Sequence, residues 1–289
     1  MTRLKWIATS AGLLALIAGG VEVALPTSSS ASVPLATASG RGSVQPSAAA
    51  SIARAQIAAS PAAVATRTSS AISLSTWAGL LLPVNSSGQL SGKNAMAVSP
   101  ARLYSPWLTQ TSGGALEFWA PSGGATTPGS LHSRTELESA IKYKVGTQKH
   151  VLSATLEIQQ LPQSNPEICV AQLHAGGRTG SSPFVMIDYK SGRLYVMVAT
   201  GTSAAASFYT LLTNVQVGAS LSYRLADNGN GTLTIGAVSG SQSKSYTVAV
   251  PHALDGASGH FSAGDYEQGT VSKGSNDGGK VLFTVLTQS

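Results

Sequence analysis

Apolar and polar residues alternate along several short stretches of the chain from about residue 72 onward. Residues 151–161 place four apolar side chains on one face with a period of two, which predicts a half-buried strand. A final strand is predicted over residues 280–287. No long amphipathic helical pattern is found in the sequence.

Two segments have the pattern of β-hairpins. Residues 184–189 and 193–199 flank a Lys-Ser-Gly turn, and residues 221–226 and 232–237 flank Asp-Asn-Gly-Asn-Gly. Many short strands separated by turns are typical of an antiparallel β-sandwich. We therefore predict an all-β fold, a sandwich of the jelly-roll type.

The first 71 residues differ in composition from the rest of the chain and lack its alternating pattern. Arg3 and Lys5 precede an apolar segment over residues 7–20, which predicts a signal peptide over residues 1–31, with cleavage sites such as Ala31. An uncleaved membrane anchor is the alternative, but Glu22 and the short apolar core favour the signal. Residues 32–71 are rich in Ser and Ala and predict a disordered linker, so the folded, catalytic domain is expected over residues 72–289. The predicted location is extracellular.

Composition narrows the function further. Only 10% of the 289 residues are charged, against ~25% in an average domain, and the net charge is +6. Residues 1–70 hold five basic residues and one acidic residue, so the high pI belongs mainly to the leader and linker. Without a cluster of basic and aromatic residues, we predict no nucleic-acid partner.

Metal and cofactor chemistry are not indicated. Cys169 is the single cysteine and lies in an apolar run, which predicts a buried free thiol and excludes an internal disulfide. The five histidines lack metal-ligand spacing, and the sequence has no phosphate-binding loop, HExxH or GxSxG motif. We predict no metal and no cofactor.

Three polar clusters lie inside strand-like stretches, at residues 133–138, 169–174 and 260–268. A period of two places polar side chains of each cluster on one face: Arg134, Glu136 and Glu138 in the first, Gln172 and His174 in the second, and Ser262, Tyr266 and Gln268 in the third. Taken singly, Arg134 with Glu136 is typical of a surface ion pair. His174 alone is typical of a structural histidine, and Tyr266 alone of a core tyrosine. Together they supply a cation, an amide, an imidazole and a phenol that could line one groove.

The three clusters resemble the three signature segments of polysaccharide lyase family seven, the alginate lyases. That family has R-(S/T)-E-L-R, Q-(I/V)-H and Y-F-K-A-G-x-Y-x-Q in this order, and this sequence has RTELE, QLH and HFSAGDYEQ. Residues 77–84 and 118–130 also resemble the family, so the resemblance spans about residues 74–289. It implies a β-jelly roll whose concave sheet forms the substrate groove.

The resemblance also implies roles for individual residues. Arg134, Gln172, His174 and Tyr266 stand at the positions of the family's catalytic four. A uronate lyase removes the C5 proton beside a carboxylate, and donors aimed at that carboxylate stabilise the enolate-like transition state. Arg134 and Gln172, helped by His174, would neutralise the carboxylate. Tyr266 would shuttle the proton for mannuronate, whereas for guluronate His174 could be the base and Tyr266 the acid.

The expected substrate-binding residues are Glu136, Ser262 and Gln268. Two family cations are replaced, because Glu138 stands where the first motif has its second Arg and Ser262 where the third has Lys. These changes leave alginate as the expected polymer but keep another polyuronate, such as glucuronan, as the near alternative. Other cations could restore the charge of the groove: Lys142, Lys144 or Arg178.

Two alternatives come from other functional classes. A non-catalytic carbohydrate-binding jelly roll need not keep a proton shuttle. A glycoside hydrolase needs two facing carboxylates about 5–10 Å apart, and no second acidic strand clearly pairs with Glu136 and Glu138. We therefore predict a secreted, monomeric polysaccharide lyase that acts on an acidic polysaccharide and has no membrane partner once the leader is cleaved.

Overall fold

The computed structural model describes residues 71–178 and 183–289, and within these ranges the chain is entirely β-structure and turns. The predicted signal peptide and nearly all of the predicted linker lie outside the described residues. No helix in the described ranges could cross a membrane.

The first eight strands are β1 Trp77–Asn85, β2 Ala95–Val98, β3 Leu108–Gln110, β4 Leu116–Pro121, β5 Arg134–Ser139, β6 Tyr143–Lys144, β7 Lys149–Gln160 and β8 Glu167–Ala175. The others are β9 Val185–Lys190, β10 Arg193–Ala199, β11 Ala206–Leu212, β12 Ser220–Asn228, β13 Thr232–Ser239, β14 Gln242–Ala249, β15 Ser258–Glu267 and β16 Gly278–Gln288.

These strands form two antiparallel sheets. The larger sheet has the order β11-β10-β9-β8-β15-β5-β1-β2, with β6 also paired to β15. The smaller sheet has the order β14-β13-β12-β7-β16-β4-β3. Neighbours in the sheets are often distant in sequence, as in a jelly roll, so the predicted fold class is confirmed.

The core lies between the two sheets and is built by period-two alternation. In β7, Leu152, Ala154, Leu156 and Ile158 are all buried, as predicted from the alternation of that segment. Phe118 of β4 meets Phe283 of β16 edge to face, with ring centroids 5.2 Å apart. Removal of such apolar surface from water, at ~25 cal/mol per Å², is the main force that holds the sheets together.

The predicted hairpins are also present. Strands β9 and β10 are joined by Ser191 and Gly192, whose φ angles of 46° and 85° are those of a tight primed turn. Strands β12 and β13 are joined across residues 229–231, where both glycines have positive φ. Both turns match the twist of their strands, which explains why the glycine-containing segments mark them in the sequence.

Strand β8 contains an irregularity that matters for the site. Its pairing with both neighbouring strands shifts between Cys169 and Ala171. Val170 and Ala171, although adjacent, both belong to the core. Cys169 and Gln172 therefore both face away from the core, onto what we call the outer face of the larger sheet.

Candidate active site

The three polar clusters lie on adjacent strands of the larger sheet. Strand β15 pairs with β5 on one side and with β8 on the other. Tyr266 is directly opposite Arg134, and Ser262 is directly opposite Gln172. Residues directly opposite in an antiparallel pair share a face, so the sheet brings together segments that are far apart in sequence.

Strand β5 shows why the polar residues face outward. Thr135 donates its hydroxyl to the Trp119 carbonyl of the smaller sheet at 2.6 Å, and Leu137 is in the core. Arg134 and Glu136 are therefore on the outer face, as the alternation predicts. The partner strand is tightly packed here, because a Cβ added at Gly264 would collide with the Thr135 carbonyl oxygen.

Arg134 and Tyr266 form the centre of the site. The guanidinium carbon of Arg134 lies 3.6 Å from the centroid of the Tyr266 ring, in a cation–π contact. Arg134 also donates through Nη1 to Glu136 at 3.0 Å. Burial works to lower the pKa of Arg134, but the charge and hydrogen bond of Glu136 together with the charge of Tyr266 outweigh burial, and the pKa is raised. Arg134 is therefore a permanent cation held against the phenol.

A cavity of about 240 Å³ opens beside this pair. Its walls include Arg134, Gln172 and Tyr266, three of the four residues in the predicted catalytic set. The remaining wall comes from the loop before β5 and from Pro183 and Met186. The cavity thus has a cation, an amide and a phenol on one side.

Several buried hydrogen-bond donors around Gln172 have no acceptor. Among the described residues, Gln172 Nε2, Arg134 Nε and Ser262 Oγ are buried and have no hydrogen-bond partner. An unsatisfied buried polar group costs ~1–3 kcal/mol. A carboxylate bound in the cavity could supply acceptors to Gln172 and Arg134 and so remove part of that cost.

His174 lies two residues beyond Gln172 on the same face, outside the walls of the cavity. Its ring stacks on that of His260, directly opposite on β15, with centroids 4.9 Å apart. Burial lowers the pKa of His174 to about 3 and that of His260 to about 4, and the charge of Lys142 adds to both shifts. Both imidazoles are therefore neutral near pH 7, and Lys142 is the cation beside them.

Ser130 and His132 belong to the site, although the sequence analysis does not select them. The Ser130 hydroxyl donates to the His132 carbonyl at 2.9 Å and accepts from Arg134 Nη2 at 3.1 Å. It also lies 3.0 Å from the Tyr266 hydroxyl, and since its one proton is already used, Tyr266 is the donor. The two residues lie in a loop without strand alternation, so only their place just before the first cluster could have indicated them.

The predicted substrate-binding residues differ in accessibility. Glu136 is 1% exposed and is paired with Arg134, and Ser262 is fully buried between Gln172 and Glu138. Gln268 is half-buried and donates to the Tyr266 carbonyl at 3.1 Å. Their role in binding stays a prediction, and the geometry makes Glu136 the partner that fixes Arg134.

Cys169 is a buried free thiol, as predicted, and burial raises its pKa well above the usual value. Within residues 71–178 and 183–289, no three His, Cys, Asp or Glu side chains form a group that could hold a metal ion.

Known proteins were compared with this chain. The family model described as alginate lyase matches residues 72–289. No curated protein sequence matches. The structure is similar to an alginate lyase from Pseudomonas aeruginosa, with 24% identity, a TM-score of 0.64, and coverage of 75% of this chain and 99% of that one.

Two further solved structures share the fold. An alginate lyase from Klebsiella pneumoniae has 18% identity, a TM-score of 0.64 and coverage of 77% of this chain and 98% of that one. Alginate lyase A1-II', a member of polysaccharide lyase family 7, has 21% identity, a TM-score of 0.60 and coverage of 75% and 95%. A variant of A1-II' has also been solved in complex with substrate. Because the family model covers three quarters of the sequence, this chain belongs to the alginate lyase family and is a polysaccharide lyase.

Proposed function

We propose that this protein cleaves 1,4-linked uronate polymers, alginate foremost, by β-elimination at the cavity beside Arg134 and Tyr266. The observation that carries the proposal is the contact between these two residues, at 3.6 Å, in a cavity that Gln172 also lines. A fixed cation and an amide beside a phenol are what elimination next to a carboxylate requires. The substrate complex of the relative A1-II' supports a polysaccharide as ligand.

Neutralising the carboxylate is the first task of this mechanism. The C5 proton of a uronate is weakly acidic because a charged carboxylate beside it resists a second negative charge. Arg134 and Gln172 donate to the carboxylate of the bound sugar, so the charge that develops on proton removal is stabilised. Glu136 holds Arg134 in place through the 3.0 Å ion pair.

Proton transfer is the second task. A base takes the C5 proton, the electron pair forms the C4–C5 double bond, and the C4–O4 bond breaks with protonation of O4. Tyr266 delivers the proton to O4. For mannuronate, Tyr266 first releases its hydroxyl proton to solvent, takes the C5 proton and passes that proton to O4. For guluronate, the neutral His174 takes the C5 proton and Tyr266 gives its own hydroxyl proton to O4. The unsaturated sugar and the shortened chain are the products.

The outer face carries both a positive charge that favours an acidic polymer and a negative charge that opposes one. Lys142 places a positive charge near the histidine pair, on a sheet in which Ser262 has replaced the family Lys. Glu138, on the same face as Arg134, adds a negative charge that opposes a polyanion. Glucuronan stays the second candidate polymer, because Glu138 and Ser262 depart from the motif of the alginate lyases. Secretion and the monomeric state stay predictions.

The test is an assay of the full-length chain, wild type beside Tyr266→Phe, on polymannuronate, polyguluronate and glucuronan. Ultraviolet absorbance of the unsaturated sugar end reports elimination. We expect a rise with at least one polymer and a loss of ~10²–10⁴-fold in Tyr266→Phe, the usual contribution of a proton-transfer group. Folded protein that yields no absorbance on any of the three polymers would refute the proposal, and reducing ends without absorbance would indicate hydrolysis.

A further inference from the structure

A second group of side chains lies on the outer face, at the β11 edge of the larger sheet. It comprises an exposed aromatic ring, a fixed aromatic ring, two cations and a hydroxyl, and we call it the edge platform: Lys190, Arg193, Tyr195, Phe208 and Thr210. These residues surround a cavity of about 230 Å³. The edge platform is separate from the cavity at Tyr266.

One of the two rings of the edge platform, that of Tyr195, is held in a fixed position. The hydroxyl of Tyr195 donates to Glu167, and the guanidinium carbon of Arg193 lies 4.9 Å from the centroid of its ring. The centroid of Phe208 is 6.2 Å from that of Tyr195, and the residue is 67% exposed. Phe208 shares one cavity with the Tyr195 ring and with Arg193, so an apolar ring and a cation face the same opening.

The cations of the edge platform differ in their partners. Lys190 donates to Glu167 at 2.8 Å, so its positive charge is already paired with a carboxylate. Arg193 is exposed, and among the described residues the Tyr195 ring is the one partner of its side chain in a hydrogen bond, ion pair or ring contact. Its guanidinium is therefore available to bind a carboxylate in bidentate fashion.

Sheet register places the edge platform in line with the catalytic residues. Directly opposite pairs run Tyr266 to Cys169, Cys169 to Asp188, Asp188 to Tyr195, and Tyr195 to Thr210. Each pair shares the outer face. Neighbouring strands are ~4.8 Å apart, so Tyr195 lies about three spacings, ~14 Å, from Tyr266.

We infer that the edge platform binds a distal uronate unit of the same polymer chain that is cleaved at Tyr266, and this inference rests on the proposed function. Phe208 packs against the apolar face of the sugar ring, and Arg193 pairs with its carboxylate. A polymer that crosses the strands from β5 towards β11 meets both sites in one direct path. A second copy of the chain is a poor occupant, because a stable dimer needs ~800 Å² per partner and one exposed ring offers far less.

The experiment compares long polymer with short oligosaccharide in the full-length protein. Phe208→Ala and Arg193→Gln are measured beside Phe208→Tyr, which keeps an aromatic ring. The matched controls lie on the smaller sheet: Arg224→Gln for the exposed arginine and Val238→Ala for the exposed apolar residue. The quantity is the ratio of kcat/KM on polymer to kcat/KM on a trisaccharide, which is too short to reach both sites.

We expect this ratio to fall about fivefold in Phe208→Ala and in Arg193→Gln. It should stay near the wild-type value in Phe208→Tyr and in both controls. A ratio unchanged in both platform variants would overturn the inference while leaving the lyase function in place.

A binding assay separates this result from failure of the proposed function. The single variant Tyr266→Phe and the double variant Tyr266→Phe with Phe208→Ala are run on native gels that contain alginate. Stronger retardation of the protein that retains Phe208 supports the edge platform even if no polymer is cleaved. Equal mobility of the two proteins, with or without alginate, contradicts it.

Discussion

The hydroxyl of Ser130 lies 3.0 Å from the hydroxyl of Tyr266, and Tyr266 is the donor because the Ser130 proton points to His132. Ser130 also accepts from Arg134, so one hydroxyl fixes the positions of the phenol and the cation. Ser130 acts through these two groups and is a positioning residue.

Ser130→Ala removes this link, and we expect kcat to fall about tenfold with a smaller change in KM. The physical reason is the loss of one or two hydrogen bonds, each of ~1 kcal/mol, that orient Tyr266. Steady-state kinetics on the preferred polymer measure the effect. Ser130→Thr should recover most of the activity, and Ser87→Ala, in an exposed turn, serves as the control. An equal loss in kcat for Thr and Ala at position 130 would contradict a positioning role.

Glu136→Gln leaves the Arg134 cation buried without its partner. Loss of one partner of a buried ion pair costs ~3–5 kcal/mol, so we expect the free energy of unfolding to drop by about 3 kcal/mol. Urea denaturation measures it.

The double variant Arg134→Met with Glu136→Leu removes both charges and should be more stable than Glu136→Gln, although inactive. Glu117→Gln breaks the half-buried, solvent-accessible pair with Lys280, 3.5 Å long, and should cost under ~1 kcal/mol. If Glu136→Gln cost no more than Glu117→Gln, the ion pair would not be the element that fixes Arg134.

Lys142→Gln should weaken the binding of an acidic polymer. Lys142 is exposed beside His174 and His260, and an exposed charge pair contributes ~0.2–1 kcal/mol, so KM should rise up to about fivefold. Glu138→Gln should have the opposite effect and lower KM. Both effects should shrink at high salt, because screening weakens exposed charges.

Lys149→Gln, an exposed lysine on the smaller sheet, is the control for Lys142. Kinetics at two salt concentrations provide the measurement. A KM that responds to Lys149 as much as to Lys142 would mean that net charge alone, and not the position of Lys142, attracts the polymer.

Asp188→Asn should make stability less sensitive to pH between ~4 and ~8. Burial, with a further contribution from the charge of Glu167, raises the pKa of Asp188 to about 8, against ~4 in an unfolded chain. Between these values the folded state keeps a proton that the unfolded state has lost. The free energy of unfolding therefore falls as pH rises from ~4 to ~8, by at most ~5 kcal/mol from this group.

Urea denaturation of Asp188→Asn and wild type at pH 5, 7 and 9 tests this. The variant should gain stability relative to wild type as the pH increases. Asp255→Asn, at an exposed position, is the control and should run parallel to wild type. A constant difference between Asp188→Asn and wild type across the three pH values would show that Asp188 does not titrate in this range.

Much of the fold could be predicted from local pattern. The alternation in β7 and β5 and the glycine turns after Lys190 and Asn228 are local signals, and each gave the right face or turn. Side chains such as Leu156 and Leu137 alternate because one sheet face meets the core and the other does not. Register could not be predicted in this way, because the pairing of Tyr266 with Arg134 depends on contacts between strands more than a hundred residues apart.

In the candidate site, too, local pattern indicates some residues and not others. Arg134, Gln172, His174 and Tyr266 lie on strands, where the order of the three motifs indicates them. Ser130 contacts the site from a loop, and its contacts follow from the path of that loop rather than from any periodicity. The burial of Ser262 was also beyond the sequence, since a small polar residue carries no mark of what covers it.

The irregularity of β8 at Val170 and Ala171 limits how the gene for this protein can change in length. Removing or adding one codon between Cys169 and Gln172 would rotate the remainder of the strand by half a turn, sending the amide and the imidazole into the core and Leu173 into the groove. Substitutions along β8 alter one side chain each, whereas a single-residue insertion there inverts every position that follows. Length changes among functional descendants of this chain should therefore collect in the connections between strands and be missing from this segment.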